Sequence, residues 1–167
     1  MATNKEDKFI NVFETNIGII LKIAAAYTDI AQDREDLIND IALELWKSFD
    51  RFQKKSKIST WLYRVALNTA MNYNRKRERN NIFIQHSSDA LNRAKIIEPD
   101  NSPHDYDSLY QHINKLNEIN KAIILLYLEE KSHREIAEIT GISETNVATK
   151  IGRIKAQIKN SITPKAH

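Results

Sequence analysis

The sequence predicts an all-α chain of two small helical domains joined by a linker, the C-terminal one a helix-turn-helix. Three observations point there. Hydrophobic residues make up 41% and charged residues 28% of the chain, with 3 Gly and 3 Pro, a composition suited to helices with solvated faces and poor in turn formers. Apolar residues recur at helical spacing across residues 1–81 and again across 107–167, and the pattern fades over 82–106. Near the C-terminus a Ser-X-X-Glu signal, a glycine and a second amphipathic run follow one another.

The first helix is expected from about Asp7 to Tyr27, with Phe9, Val12, Phe13, Ile17, Ile20, Leu21 and Ala24 on one side. Asp33 is placed to cap a second, in which Leu37, Ile38, Ile41, Ala42, Leu45, Trp46 and Phe49 form the apolar stripe. Asp36, Asn39, Asp40 and Lys47 fall mainly off that stripe. The polar stretch from Gln53 to Ser59 breaks the pattern before Thr60, which is placed to cap a third helix through Trp61, Leu62, Val65, Ala66, Ala70 and Tyr73. These three helices are expected to share one core.

Over 82–106 the breakers Ser87, Ser88, Asp89, Pro99, Asp100, Asn101, Ser102 and Pro103 mark the linker. Periodicity returns with Leu109, Ile113 and Leu116 and runs on through Ile119, Ile123, Ile124, Leu126, Tyr127 and Leu128. Ser132 to Glu135 reads as a capping box. Ile136, Ala137 and Ile139 form a short inner face, and Gly141 sits where a tight turn needs freedom from Cβ strain. Ser143 is placed to cap the last helix, whose inner stripe is Val147, Ile151, Ile154 and Ile158.

A helix-turn-helix lays its second helix in the DNA major groove. On that reading Glu144, Thr145, Ala148 and Thr149 face base edges, while Lys150 and Arg153 reach phosphates, contacts that position without reading sequence.

The net charge of +3 conceals a segregated distribution. Asp29 to Asp50 holds seven acidic residues against two basic, Arg51 to Arg79 nine basic against one acidic, and Lys150 to His167 five basic with none acidic. Two separated basic blocks on helices, the first ending in Arg75, Lys76 and Arg77, point to a polyanionic partner.

Other function classes find little support. The chain has no Cys, which removes disulfides, thiolate metal sites and thiol nucleophiles and fits a reducing compartment. Its glycines are too scattered for a phosphate-cradling loop, and His86, His104, His112, His133 and His167 show no paired ligand spacing, so neither an enzyme nor a cofactor is expected. The polar, acidic N-terminus does not resemble a signal peptide, and no apolar run approaches the roughly 18 to 20 residues a membrane span needs. A cytoplasmic protein without membrane insertion is expected.

Residues Asp33 to Asp40, then Trp46, Phe49, Arg51-Phe52, Ser59 to Asn68 and Arg75 to Arg77, resemble conserved region two of bacterial RNA polymerase sigma factors. Ser132 to Ser143 and the helix after it resemble region four. With no room for a folded region three, the resemblance is to the small extracytoplasmic-function (ECF) group. It implies a promoter-recognition subunit that binds core polymerase through the β′ clamp helices and the β flap, and promoter DNA besides. Asp36, Asn39 and Asp40 would dock on the clamp, and Phe52, Val65, Asn68 and Asn72 would line a pocket for the opened minus-ten element. Arg64, Val65, Asn68 and Asn72 lie three and four residues apart and so share a helix face. Trp61 belongs either to the core or to the base-stacking surface. Leu62 stands where primary sigma factors carry a second aromatic, which implies weaker intrinsic melting. Ala148 stands where many relatives carry Lys or Arg, which implies weak minus-thirty-five reading and gives an anti-sigma factor or other recruiting partner more importance. The linker segment from Ile82 to His112, with five acidic residues against two basic, suits either mimicry of a nucleic acid in the polymerase RNA channel or a plain tether. A helix-turn-helix regulator acting without polymerase would leave the acidic helix and Phe52 to Asn72 unexplained, and a protein-binding adaptor would leave both basic blocks unexplained.

Overall fold

The computed structural model describes residues 4–52, 54, 56–85, 109 and 111–162, all helical or in turns and connections, with no strand among them. The chain divides into two compact units, Met1–Ile97 and Glu98–His167. Most of the linker expected over 82–106 lies outside the described residues.

In the first unit α1 spans Lys5–Thr15, α2 Ile17–Tyr27, α3 Ala31–Ser48 and α4 Ile58–Gln85, with a single 3-10 turn, Phe49–Arg51, after α3. The one helix expected over Asp7 to Tyr27 is therefore two, meeting at 61°. Asn16 makes the break. Its backbone leaves the helical region (φ −113°, ψ 14°), and its side-chain amide donates to the Val12 carbonyl at 2.8 Å. Short polar side chains compete in this way with the helical ladder. The break resets the phase of α2, so that Ile20, Ile23, Ala24 and Tyr27 face inward and Leu21, expected inside, is exposed.

Those residues meet Leu37, Ile41 and Leu45, a row spaced four apart on α3 and fully buried. Trp61, Leu62, Tyr63, Ala66, Leu67 and Ala70 of α4 close the core, with the two alanines admitting a near approach of the helix backbones. Neither expected cap of this unit forms. Helix α3 begins two residues ahead of Asp33, with Ile30 at its N-cap, and α4 begins two residues ahead of Thr60, which is buried in its first turn. At its far end α4 runs to Gln85, into the span expected as linker, because Asn80 to Gln85 contains neither Gly nor Pro to stop it.

In the second unit residues 111–114 are helical, followed by α5 (Glu118–Leu128), α6 (His133–Thr140) and α7 (Glu144–Ile162). The Asn117 side chain accepts from the Asn120 amide at 2.8 Å, a cap the sequence reading missed. The capping box forms as expected. Ser132 Oγ accepts from the Glu135 amide at 3.1 Å and Glu135 Oε2 from the Ser132 amide at 2.9 Å. Gly141 ends α6 with φ 79°, and Ser143 Oγ accepts from the Asn146 amide at 3.2 Å. Val147, Ile151 and Ile154 are buried against Ile136, Ile139 and the Ala122, Ile123 and Leu126 face of α5, while Ile158 is half-buried.

A second left-handed residue, Glu130 (φ 59°), follows α5. The Glu130 amide donates to the Tyr127 carbonyl at 3.0 Å and the Lys131 amide to the Leu126 carbonyl at 3.1 Å, a Schellman ending in which glycine is the usual residue. The same backbone conformation thus holds a glycine at one turn and a glutamate at the other, and substitutions at the two should act with opposite sign. A Cβ added at Gly141 meets nothing within 4 Å, so Gly141→Ala should lower stability of this unit by about 1 to 2 kcal/mol through backbone strain alone. Glu130→Gly should raise it by about 1 kcal/mol. Urea denaturation with amide exchange followed in α6 measures both.

Candidate nucleic-acid and partner interfaces

The packing of α3 on α4 turns two chemically different surfaces outward. On α3, Asp36, Asn39 and Asp40 are all exposed within little more than one turn. Leu43, one turn further, is 50% exposed, an apolar side chain held on an otherwise polar face. On α4, Arg64, Asn68, Asn72 and Lys76 recur four residues apart and are exposed, with Val65 half-buried beside them.

Between the two helices lies an open groove of about 370 Å³. Asp40, Leu43, Glu44 and Ser48 of α3 form one wall; Val65, Asn68, Thr69, Asn72, Tyr73 and Lys76 of α4 form the other. One wall carries the carboxylates of Asp40 and Glu44 and the other the amides of Asn68 and Asn72 with the Lys76 cation, a mixed polar lining that suits a neutral hydrogen-bonding group. Val65, Asn68 and Asn72, three of the four residues expected to line one pocket, all line this groove. The α3 wall was not legible in the sequence, and Asp40, assigned to a separate partner surface, lines it.

Phe52 and Trp61 are not among the described residues that line the groove. Trp61 stands one turn before Val65 on α4 and is 8% exposed, with Phe49 at 6.1 Å and Phe52 at 5.2 Å between ring centroids. Of the two places open to it, the structure gives the core, because its ring fills the space between the 3-10 turn and α4. Phe52 is half-buried against it.

Arg77 also departs from expectation. Instead of standing with Arg75 and Lys76 as an outward cation, it comes within 2.9 Å of Asp33 Oδ2, and both side chains are partly buried. The Tyr73 hydroxyl points to the other oxygen, Asp33 Oδ1, at 3.4 Å. Burial, followed by the negative charges of Asp33 and Asp36, pushes the Tyr73 hydroxyl up from its ordinary value, and the nearby Arg77 offsets this in part. Tyr73 therefore stays a neutral donor. Asp33, expected as a helix cap, instead ties the start of α3 to the basic end of α4, a contact 44 residues apart without local signature.

In the second unit Glu144, Thr145, Ala148 and Thr149 are exposed at the start of α7. Thr149 spends its hydroxyl hydrogen on the Thr145 carbonyl at 3.0 Å, leaving the oxygen to accept. Arg153 is exposed and Lys150 half-buried further along. Exposed Lys155 lies over the Tyr127 ring at 4.2 Å, joining α7 to α5. No group of three His, Cys, Asp or Glu suited to a metal ion occurs among the described residues. No single helix among them is long and apolar enough to cross a membrane; the bent pair α1 and α2 passes by length and composition alone.

Residues 12–80 match the family described as Sigma-70 region 2, and residues 106–158 that described as Sigma-70, region 4. The ECF RNA polymerase sigma-E factor of Haemophilus influenzae is 26% identical over 146 residues, spanning 79% of this chain and 76% of the relative. RNA polymerase sigma factor YlaC of Bacillus subtilis is 26% identical over 152 residues, 86% of each chain. Among solved structures, the sigma factor RpoE in complex with the anti-sigma factor NepR from Bartonella quintana aligns with a TM-score of 0.74 at 20% identity, over 95% of this chain and 99% of that one. CnrH in complex with the cytosolic domain of CnrY aligns at 0.68 with 18% identity, over 99% and 93%. At these identities the likeness is one of fold.

Lys76 is exposed whereas Arg77 is paired with Asp33, so their removal should have different consequences. Lys76→Ala should lower the salt concentration at which the chain leaves a single-stranded DNA column and leave thermal stability unchanged, because an exposed cation acts through counterion release. Arg77→Ala should do the reverse, costing about 1 kcal/mol or less of stability, since its ion pair is only partly buried.

Proposed function

Since the chain belongs to the sigma-70 family, with region 2 over residues 12–80 and region 4 over 106–158, we propose residue roles for each of its interfaces. It is an ECF-type sigma factor, which associates with core RNA polymerase and recognises promoter DNA. Residues 1–81, with α4 continuing to Gln85, and residues 107–167 serve as the two working modules and the segment between them as the tether, the protein acting in the cytoplasm where polymerase works and contributing no chemistry of its own.

The exposed Asp36, Asn39 and Asp40 face docks on the β′ clamp helices, and the second module on the β flap. One observation carries the reading of opened DNA: Asn68 and Asn72 stand on the amide wall of a groove whose opposite wall is acidic. Asp40 and Glu44 there repel a phosphate, whereas a single extruded base is neutral and needs hydrogen-bond partners along its edge. An amide supplies both a donor and an acceptor to such an edge. Lys76, at the groove's rim, with Arg64 and Arg75 of the same helix, meets the strand's phosphates. Phe52, supported from below by Trp61, offers a ring to a neighbouring base. Trp61 itself, being buried, is left out of the contact surface, and Arg77 acts through Asp33.

In the second module Glu144, Thr145, Ala148 and Thr149 face base edges of the minus-thirty-five duplex, and Lys150 and Arg153 meet phosphates. Ala148 brings only a methyl group, so affinity here is mainly electrostatic and an anti-sigma factor or other recruiting partner governs access.

Asn68→Ala should lower transcription from the native promoter by an amount matching about 1 to 3 kcal/mol and blunt discrimination at one minus-ten position, with core binding and closed-duplex affinity almost unchanged. Lower thermal stability with base preference intact would show Asn68 to be structural. Asp36→Lys, which lies outside the groove, should weaken core binding while leaving base preference alone; Asp40→Arg should disturb both. Lys150→Ala and Arg153→Ala should each weaken duplex binding evenly across sequences and reduce the salt slope by about one ion. A loss confined to particular sequences would make either residue a base reader.

A further inference from the structure

Helix α1 begins ahead of the stretch matched to region 2, at residue 12, yet its first turns hold the segment that leads into Phe52. Phe9 meets the rings of Trp46 at 5.1 Å and Phe49 at 5.5 Å, both edge to face, and stacks on Phe13 at 5.8 Å. Phe49 in turn meets Trp61, and Trp61 meets Phe52. A continuous chain of rings therefore runs from Phe9 through Phe49 and Trp61 to Phe52. Beside it, Lys5 Nζ lies 2.6 Å from Asp50 Oδ2 and 4.1 Å from the centre of the Trp46 ring.

Phe49 and Asp50 both belong to the 3-10 turn immediately before Phe52, and that turn contains no buried residue. Its own hydrogen bonding is slight, the Phe52 amide donating to the Phe49 carbonyl at 3.3 Å. Lys54, just beyond, adopts a left-handed φ of 54°, so the chain leaves Phe52 in a conformation that does not propagate regular structure. The position of Phe52 is therefore set by α3, whose last turn the 3-10 turn continues with the Phe49 amide donating to the Trp46 carbonyl, by α4 through Trp61, and by α1 through Phe9 and Lys5.

We propose that α1 is a strap that positions Phe52 for opened promoter DNA, with Phe9 the principal positioning residue and Lys5 a lesser one. The proposal rests on the reading above that Phe52 meets an unpaired base. Phe9 dominates because it is only partly exposed and meets three rings at once, whereas the Lys5 and Asp50 side chains are 35% and 68% exposed and water weakens their attraction.

The test uses holoenzyme assembled with core polymerase and a promoter carrying a fluorescent base analogue in the minus-ten element, so that opening is followed in time. Phe9→Ala should slow opening about threefold to tenfold, the scale of lost aromatic pair contacts. Lys5→Ala should slow it about twofold, with Lys5→Arg restoring the rate. Core affinity should stay unchanged in both. In a Phe52→Ala background neither substitution should slow opening further, because coupled residues act as one unit in a double-mutant cycle. A purely structural role for Phe9 would give the same loss in both backgrounds, and that result overturns the strap. If Phe52→Ala slows opening while Phe9→Ala and Lys5→Ala do not, the strap fails and the base-stacking role stands. If Phe52→Ala has no effect, the base-stacking role fails and takes the strap with it. Should Phe9→Ala fail to fold, Phe9→Leu and the surface variant Lys5→Ala carry the same cycle.

Discussion

Everything on the first unit's surface depends on one packing constraint, the burial of the row Leu37, Ile41 and Leu45 of α3 in the core that α4 closes with Leu62, Ala66 and Ala70. These positions recur every four residues, so each helix has only one orientation that hides them. Once the rows are hidden, Asp36, Asn39 and Asp40 must face outward on α3, and Arg64, Asn68 and Asn72 must face outward on α4. The groove between the two helices is the place where their polar flanks meet. It is a consequence of core packing, which is why the α3 side chains Leu43, Glu44 and Ser48 complete a pocket begun by α4.

Charge follows the same logic. A net charge of +3 would ordinarily say little about partners, but the acidic and basic residues lie on consecutive helices of one unit. Opposite charges on adjacent helices would neutralise each other if they met. Here Asp33 and Arg77 do meet, and the pair joins the beginning of α3 to the far part of α4. Asp36 and Asp40, further along α3, stay exposed, as does Lys76. The fold thus keeps an acidic surface and a basic one exposed on consecutive helices of the same unit.

The second unit solves a different problem. Its short helix α6 has eight residues, too few to persist alone, and it is defined at both ends by local chemistry: the Ser132 and Glu135 capping box at its start and left-handed Gly141 at its end. Those devices set where α7 begins, and the buried Val147, Ile151 and Ile154 set its rotation. The outward surface at the start of α7 is then polar, with Glu144, Thr145 and Thr149 exposed around the methyl group of Ala148.

Much of this was legible in the sequence because it rests on interactions within a few residues. Helical periodicity marked Ile41, Leu45, Ala66, Ile136 and Val147 as inner residues; Ser132, Glu135, Gly141 and Ser143 announced their caps and turn; and the run from Ser59 to Asn68 carried the family likeness. What tertiary structure alone decided involves partners far apart in the chain. Asp33 has the composition of a helix cap, but Arg77 and Tyr73 arrive beside it from α4. Trp61 could read as core or contact surface until Phe49 and Phe52 enclosed it. Asn16 breaks a helix that periodicity alone continues, and the phase of α2 is then chosen by what α3 and α4 have to cover. The reason is the same in each case: spacing of 3.6 residues per turn and local hydrogen bonds are written in neighbouring residues, whereas the choice between two locally acceptable roles belongs to side chains that only folding brings together.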